Sequence, residues 1–273
     1  MKKLMFIVLG FFVMNAFTSP INKEEMNNLK NTLQEAQQEK EDLDADLFAA
    51  VDKGDNEEVN NLLEQGANPN ARMNWGEYED IPVLFFAISK KFPTIVDSLV
   101  SKGADGNMEY QDETPLLFAI NNTEYDVEDN DSYDIVRALV RHSKADILKV
   151  YDQDSFSGTI LTLAVQKRQF KIIDFLLLKK NGKLANIQSP SNGYTPLMYA
   201  IEENDLELVK HLLWYKFDLS IRDNNGRTAV QLAQENIDQL NTLVNSSEDN
   251  SEAKELLSQA KAIKQALKKD LAR

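Results

Sequence analysis

Thr114-Pro115-Leu116-Leu117-Phe118-Ala119-Ile120 and Thr195-Pro196-Leu197-Met198-Tyr199-Ala200-Ile201 are one pattern written twice, and that recurrence decides the fold. Thr159-Ile160-Leu161-Thr162-Leu163-Ala164-Val165 and Thr228-Ala229-Val230-Gln231-Leu232-Ala233 repeat it closely, and Leu47-Phe48-Ala49-Ala50-Val51 and Leu84-Phe85-Phe86-Ala87-Ile88 repeat it loosely. Aligned on Ala50, Ala87, Ala119, Ala164, Ala200 and Ala233, the copies lie 37, 32, 45, 36 and 33 residues apart. A period near 33 with insertions means stacked units, none of which has enough apolar surface to fold alone.

Each of the first five anchor alanines is followed by a second apolar pattern: Val59, Leu62, Leu63; Val96, Leu99, Val100; Val136, Leu139, Val140; Ile173, Leu176, Leu177; Val209, Leu212, Leu213. The offset to the first of these is nine residues in four copies, which fits two short helices and a turn. The third copy is the exception, with an insertion at Tyr125-Asp126-Val127-Glu128-Asp129-Asn130-Asp131-Ser132 that must bulge between its helices. The tails Glu64-Gln65-Gly66-Ala67-Asn68-Pro69-Asn70-Ala71 and Lys102-Gly103-Ala104-Asp105-Gly106-Asn107 place a glycine where a helix ends in a left-handed residue, then a polar turn.

This combination resembles the ankyrin repeat, with its Thr-Pro-Leu-His-x-Ala opening, second helix and Gly-Ala-Asp-x-Asn tail, over about residues 45 to 236. The resemblance implies an all-α ankyrin-repeat solenoid of about five to six helix-pair repeats, flanked by N- and C-terminal helices, that binds another protein and is not an enzyme. It also implies where contacts come from: the turn-tip aromatics Trp75, Tyr78, Tyr110, Phe156 and Tyr194, and Asp52, Lys53, Ser89, Lys90, Asn121, Asn122, Gln166, Lys167, Glu202 and Glu203 after the anchor alanines. Exposed aromatics outside a core suit interfaces, and Trp75, in the long first connection, is the leading candidate. Two departures stand out. The histidine of the opening motif is replaced throughout, by Phe48, Phe85, Leu117, Thr162, Met198 and Gln231. Ser143, Lys180 and Lys216 occupy the place of the cap glycine, where a left-handed backbone costs about 1 kcal/mol or more for a residue with a Cβ.

The expected organisation is a signal peptide over 1–19, a polar acidic helical lead-in over 20–45, repeats over 46–245 (46–72, 73–108, 109–150, 151–188, 189–222 and 223–245) and a C-terminal amphipathic helix over 246–273. Lys2 and Lys3 precede a nearly unbroken apolar run from Leu4 to Phe17, then Thr18, Ser19 and Pro20, the layout of a secretory signal. The run falls short of the roughly 20 residues that span a bilayer, so cleavage near residues 17 to 21 is expected over permanent anchoring, although no clean Ala-x-Ala site is present. The protein is therefore expected to be exported, to the periplasm or the medium, with a retained membrane anchor as the alternative. In the lead-in, Met26, Leu29 and Leu33 fall at helical spacing without the sustained heptads of a coiled coil. Ile237, Leu240, Leu243 and Val244 suggest a partial second helix for the sixth repeat, and Leu256, Ala260, Ile263 and Leu267 form a stripe suited to covering the open end of the stack.

A formal charge of −14, from 44 acidic against 30 basic residues, opposes nucleic acid and anionic lipid and favours basic partners. Removing Lys2 and Lys3 makes it −16. The chain is expected to act as a monomer, without cofactors and without the membrane after signal cleavage. No cysteine is present, which excludes disulfides, thiolate metal sites and cysteine nucleophiles. His142 and His211 fall in second helices with no nucleophile motif, and there is no phosphate loop or His-x-x-x-His spacing. Asp126, Glu128, Asp129, Asp131 and Asp134 crowd one loop in the manner of a calcium site but lack its glycine and terminal Glu, so a solvated loop is expected.

Overall fold

Thr114, Thr159 and Thr195 each turn the recurring motif into a helix start. Their hydroxyls accept from the backbone N–H three residues on, at Leu117, Thr162 and Met198, while Pro115 and Pro196 fill the first helical position, where no N–H is needed. The computed structural model describes residues 23–126, 129–143, 145–153, 156–246 and 251–272. The chain divides into two compact units, one through Asp105 and one from Gly106 on.

The first unit opens with α1 (Lys23–Lys53), followed by α2 (Asn56–Gln65), β1 (Arg72–Trp75), β2 (Tyr78–Pro82), α3 (Val83–Ser89) and α4 (Pro93–Ser101). The acidic lead-in and the first repeat's first helix are thus one helix, because nothing between Lys23 and Lys53 breaks it. Helices α1 and α3 pack side by side, as do α2 and α4, burying Leu47, Phe48, Val51, Leu84, Phe85 and Ile95. The second unit holds α5 (Pro115–Asn121), α6 (Asn130–His142), β3 (Val150–Gln153), β4 (Phe156–Thr159), α7 (Ile160–Gln166), α8 (Phe170–Leu178), a 3-10 helix (Lys179–Asn186), α9 (Pro196–Glu202), α10 (Leu206–Leu212), α11 (Ala229–Ser246) and α12 (Ser251–Leu271). First helices α5, α7, α9 and α11 pack in sequence. The sixth repeat has no separate second helix: α11 runs unbroken through Ile237 and Leu240. Helix α12 packs on α10 and α11 and buries Leu257, Ala260, Ile263 and Leu267; the buried stripe contains Leu257 and leaves Leu256 more than a third exposed.

The helical reading needs one amendment. Two antiparallel hairpins occupy the longest connections, β1–β2 with a shifted register between Met73 and Trp75, and β3–β4 pairing Val150 with Thr159 and Tyr151 with Gly158.

The missing histidines are replaced differently from repeat to repeat. Phe48, Phe85, Leu117 and Met198 fill the core, whereas Thr162 closes a capping box with Thr159, and Gln231 accepts from the Thr228 N–H. The expected strain at Ser143 and Lys216 is absent, since neither has a positive φ. Ser143 is helical, with its hydroxyl donating to the Leu139 carbonyl, and Lys180 continues into the 3-10 helix. Gly66 and Gly103 are left-handed after their second helices, as expected, and further left-handed residues fall between the two helices of a pair: Gly54, Lys91, Arg168 and Asn204. There the next N–H, from Asp55, Phe92, Gln169 and Asp205, donates to the carbonyl of the anchor alanine. The alanine recurs because this reversal brings the chain back across it.

The third repeat's insertion is tied down at its start. The Asp126 N–H donates to the Lys167 carbonyl at 3.0 Å, and its carboxylate lies 2.8 Å from Arg168. Arg168 also reaches Asp205 (2.6 Å) and Glu207 (2.9 Å), joining repeats three, four and five.

Candidate functional site

Four of the residues expected to contact a partner converge in the second unit. Asn121 on α5, Gln166 on α7, Lys167 after it and Phe156 on β4 line one groove of about 400 Å3, together with Glu113, Leu117, Tyr125, Gln153 and Leu163. Leu117 and Leu163 are buried and form an apolar floor. Tyr125, 64% exposed, and the half-buried Phe156 present aromatic surface. Gln153 at the end of β3 and Phe156 at the start of β4 line this groove, and Gln153 Nε2 donates to the Asp112 carbonyl at 2.6 Å, joining β3 to the turn that carries Glu113.

That turn is strained. The Tyr110 and Glu113 backbones pair in both directions, and Gln111 and Asp112 between them both take positive φ without being glycine. Glu113 accepts a 2.7 Å hydrogen bond from Asn121 Nδ2. Burial pushes the Glu113 carboxyl above its ordinary value, and the Asn121 bond offsets this only in part. Lys167 points its ammonium into the Asn121 and Thr123 carbonyls at 3.0 and 3.4 Å. The groove therefore combines an apolar floor, aromatic walls and a carboxylate drawn partly out of water.

In the first unit, Asp52, Lys90, Trp75 and Tyr78 gather around Phe86. Trp75 stacks on Phe48 at 5.8 Å and leans on Phe86 at 6.4 Å, and Tyr78 meets Phe86 edge-on at 5.9 Å. Lys90 lies over the Phe86 ring and 2.7 Å from Asp52, holding that carboxyl below its ordinary value, with a hydrogen bond from Trp75 adding to the effect. Trp75 and Tyr78 are thus half-buried packing residues, not freely exposed tips. Short strands fold the hairpin back so that its aromatics cover the helix pair. Trp75→Ala is expected to cost roughly 1–2 kcal/mol of stability by removing these ring contacts. A melting temperature unchanged from the parent would rule that packing role out.

Tyr110 and Tyr194 depart further from expectation, being 7% and 4% exposed. Tyr110 precedes the Gln111–Asp112 turn and Tyr194 directly precedes the Thr195 cap, and both are swung inward. Tyr194 packs against Tyr199 at 5.2 Å, donates to Glu202 at 3.0 Å and receives Arg227 Nη2 at 3.1 Å. Burial, reinforced by Glu202, pushes the Tyr194 phenol up to about 12. The raised folded-state value favours the protonated native state. Stability should therefore fall as pH rises from about 10, where unfolded tyrosine ionises, through about 12. Alkaline titration monitored by circular dichroism should show that limb, and Tyr194→Phe should flatten it. Glu202 is held by this contact, while Lys53, Asn122 and Glu203 are exposed and Ser89 donates to the Phe86 carbonyl.

A family model described as "Ankyrin repeats (3 copies)" matches residues 47–150 and 161–255. The chain belongs to the ankyrin-repeat family. Among curated ankyrin-repeat relatives, protein FPV031 of fowlpox virus (strain NVSL) is 30% identical over 161 residues, 55% of this chain and 42% of the relative. The chain therefore spans less than half the length of that relative. Among solved ankyrin-repeat structures, EF0377 superposes with a TM-score of 0.57 at 21% identity, covering 81% of this chain and 96% of that one. A chain from the complex of the Bdellovibrio bacteriovorus predatory endopeptidase Bd0816 with immunity protein Bd3460 superposes at 0.52 with 25% identity, covering 71% and 92%.

Five groove residues of this ankyrin-repeat protein were not among those expected: Glu113, Leu117, Tyr125, Gln153 and Leu163. Tyr125 is legible in retrospect as the aromatic opening the insertion. The acidic loop is spent on local structure, with Asp129 accepting from the Asp131 N–H and Ser132 Oγ, Asp134 paired to Arg137, and Asp126 to Arg168. Glu128 lies outside the described residues. Among the described residues no group of three or more His, Asp or Glu is placed to hold a metal. His211 Nε2 meets Asp174 Oδ1 at 2.6 Å, and Tyr215 donates to the same oxygen. No described helix is long and apolar enough to cross a membrane. The segment expected to be a signal peptide, 1–19, lies outside the described residues.

Proposed function

We propose that this chain is a non-catalytic binding protein that works outside the cytoplasm, holding a protein with a basic contact surface against the groove between its third and fourth repeats and restraining that protein's activity. The observation that carries this reading is the convergence of Asn121, Phe156, Gln166 and Lys167 with Glu113 and Tyr125 around one apolar floor. The ankyrin repeat is a protein-interaction module, and stacked repeats offer contact surface across several units. Net charge favours a basic partner, the Lys2-Lys3 and Leu4–Phe17 segment favours export, and the likeness to a chain of an endopeptidase–immunity protein complex supports the restraining form of binding.

Affinity capture from the exported fraction, with residues 20–273 as bait, tests it. A protein partner released by rising salt is expected; enrichment of nucleic acid alone would refute the reading. Glu113 sharpens the test. Only its ionised form pairs with a cation, and its carboxyl sits above the ordinary 4.5, so capture should weaken on acidification earlier than an ordinary glutamate would allow. Glu113→Gln should weaken capture at neutral pH and remove that acid limb.

A further inference from the structure

Trp214 is 87% exposed, the most exposed large apolar side chain among those described. Leu178, 75% exposed, holds the same place in the preceding repeat, fourteen residues after its anchor alanine; it is the last residue of α8, and Trp214 follows the end of α10. Trp214 and Leu213 form one wall of a groove of about 440 Å3, whose other wall is Ala266, Lys269 and Asp270 on α12, with Lys210 beside them. Neither the repeat groove nor the core uses this surface. A large apolar side chain left this exposed beside a groove suits an interaction site. The groove's charged lining is two lysines, Lys210 and Lys269, against the single carboxylate of Asp270, a basic balance in a molecule of formal charge −14, and Lys179 stands over the Phe175 ring on α8.

An occupant with the opposite features is present in the same sequence. Residues 23–42 of α1 are helical yet almost wholly exposed, including Met26 at 39% and Leu33 at 49%, which with Leu29 make one apolar stripe. Glu24, Glu25, Glu35, Glu39, Glu41 and Asp42 flank it against Lys23, Lys30 and Lys40. A solvated helix of this length is marginal by itself and gains its stability from burying an apolar face. We infer that the acidic segment 23–42 of one copy docks, stripe inward, on the Trp214 groove of a second copy, with its carboxylates facing Lys210 and Lys269. This is helix-in-groove recognition and makes the protein self-associating, contrary to the monomer expected from sequence. The contact joins different surfaces on the two copies, so each complex leaves a further helix and groove free, and mass should climb with concentration.

Sedimentation velocity of the protein over a concentration series tests this without knowledge of any partner. Association should be weakened by salt, and roughly thirtyfold by Trp214→Ser or by Leu33→Glu, both at exposed positions whose change leaves melting unaltered. The decisive arm mixes the two variants. Leu33→Glu keeps its groove and Trp214→Ser keeps its helix, so the mixture should form a 1:1 complex that neither makes alone. Tryptophan emission should shift to the blue on mixing if Trp214 is the residue covered. A chain that stays monomeric throughout, variants that associate as the parent does, or a mixture that does not pair would each overturn the proposal. So would a monomer that instead floats with anionic phosphatidylserine vesicles through Trp214. Partner capture at the repeat groove is read separately, so either result stands without the other.

Discussion

Leu197→Ala is expected to destabilise the second unit by about 2–5 kcal/mol, lowering its melting temperature by roughly 5–20 °C. Leu197 follows the Thr195-Pro196 helix start, is 1% exposed, and lies on α9, which packs against α7, α10 and α11 at once. Neighbours on three sides cannot all move in to fill the space, so the cavity term adds to the lost transfer free energy. Leu178→Ala is the matched control: the same atoms are removed from a side chain 75% exposed, and melting should be unchanged. Thermal unfolding followed by circular dichroism decides it. A Leu197→Ala variant that melts with the parent would mean that the repeats do not share a continuous core.

Tyr125→Ala and Phe156→Ala should each weaken partner capture by about thirtyfold, the effect of removing an aromatic hot spot of about 2 kcal/mol. Tyr125 has little to lose in folding, being 64% exposed, and its variant should melt normally. Phe156 also packs on Tyr151 at 6.1 Å, so a modest loss of stability should accompany its larger loss of binding. Titration of the captured partner against each variant separates the two effects. Full binding by both would remove the groove as the recognition surface.

The repeat pattern was legible because it is written several times. The threonine caps, the anchor alanines and the first two apolar positions of each second helix hold the places their spacing assigns, while Val140 and Leu213 are only half-buried. The hairpins were not legible, since strands of four or five residues are too short to show alternation. Left-handed residues after the second helix were legible where glycine marks them, at Gly66 and Gly103, whereas those between the helices at Lys91, Arg168 and Asn204 carry no sequence mark.

The site was half legible. Residues after the anchor alanines face outward as expected in Asn121, Asn122 and Glu203, but an aromatic near a turn says nothing about which way it swings. Tyr110 and Tyr194 turned in, and Trp75 lay down on Phe48. Trp214 carries no sequence mark, because it follows the end of α10, a place the repeat pattern assigns to no contact.

Amide hydrogen exchange on the chain, free and bound to its captured partner, tests the central claim most directly. Slowed exchange is predicted at the Tyr110–Glu113 turn, at Asp152–Gln153 and Phe156–Ser157 of the hairpin, and at Gln166–Lys167, the segments that frame the groove. Protection confined to the second helices α8 and α10, with those segments exchanging as in the free protein, would contradict it.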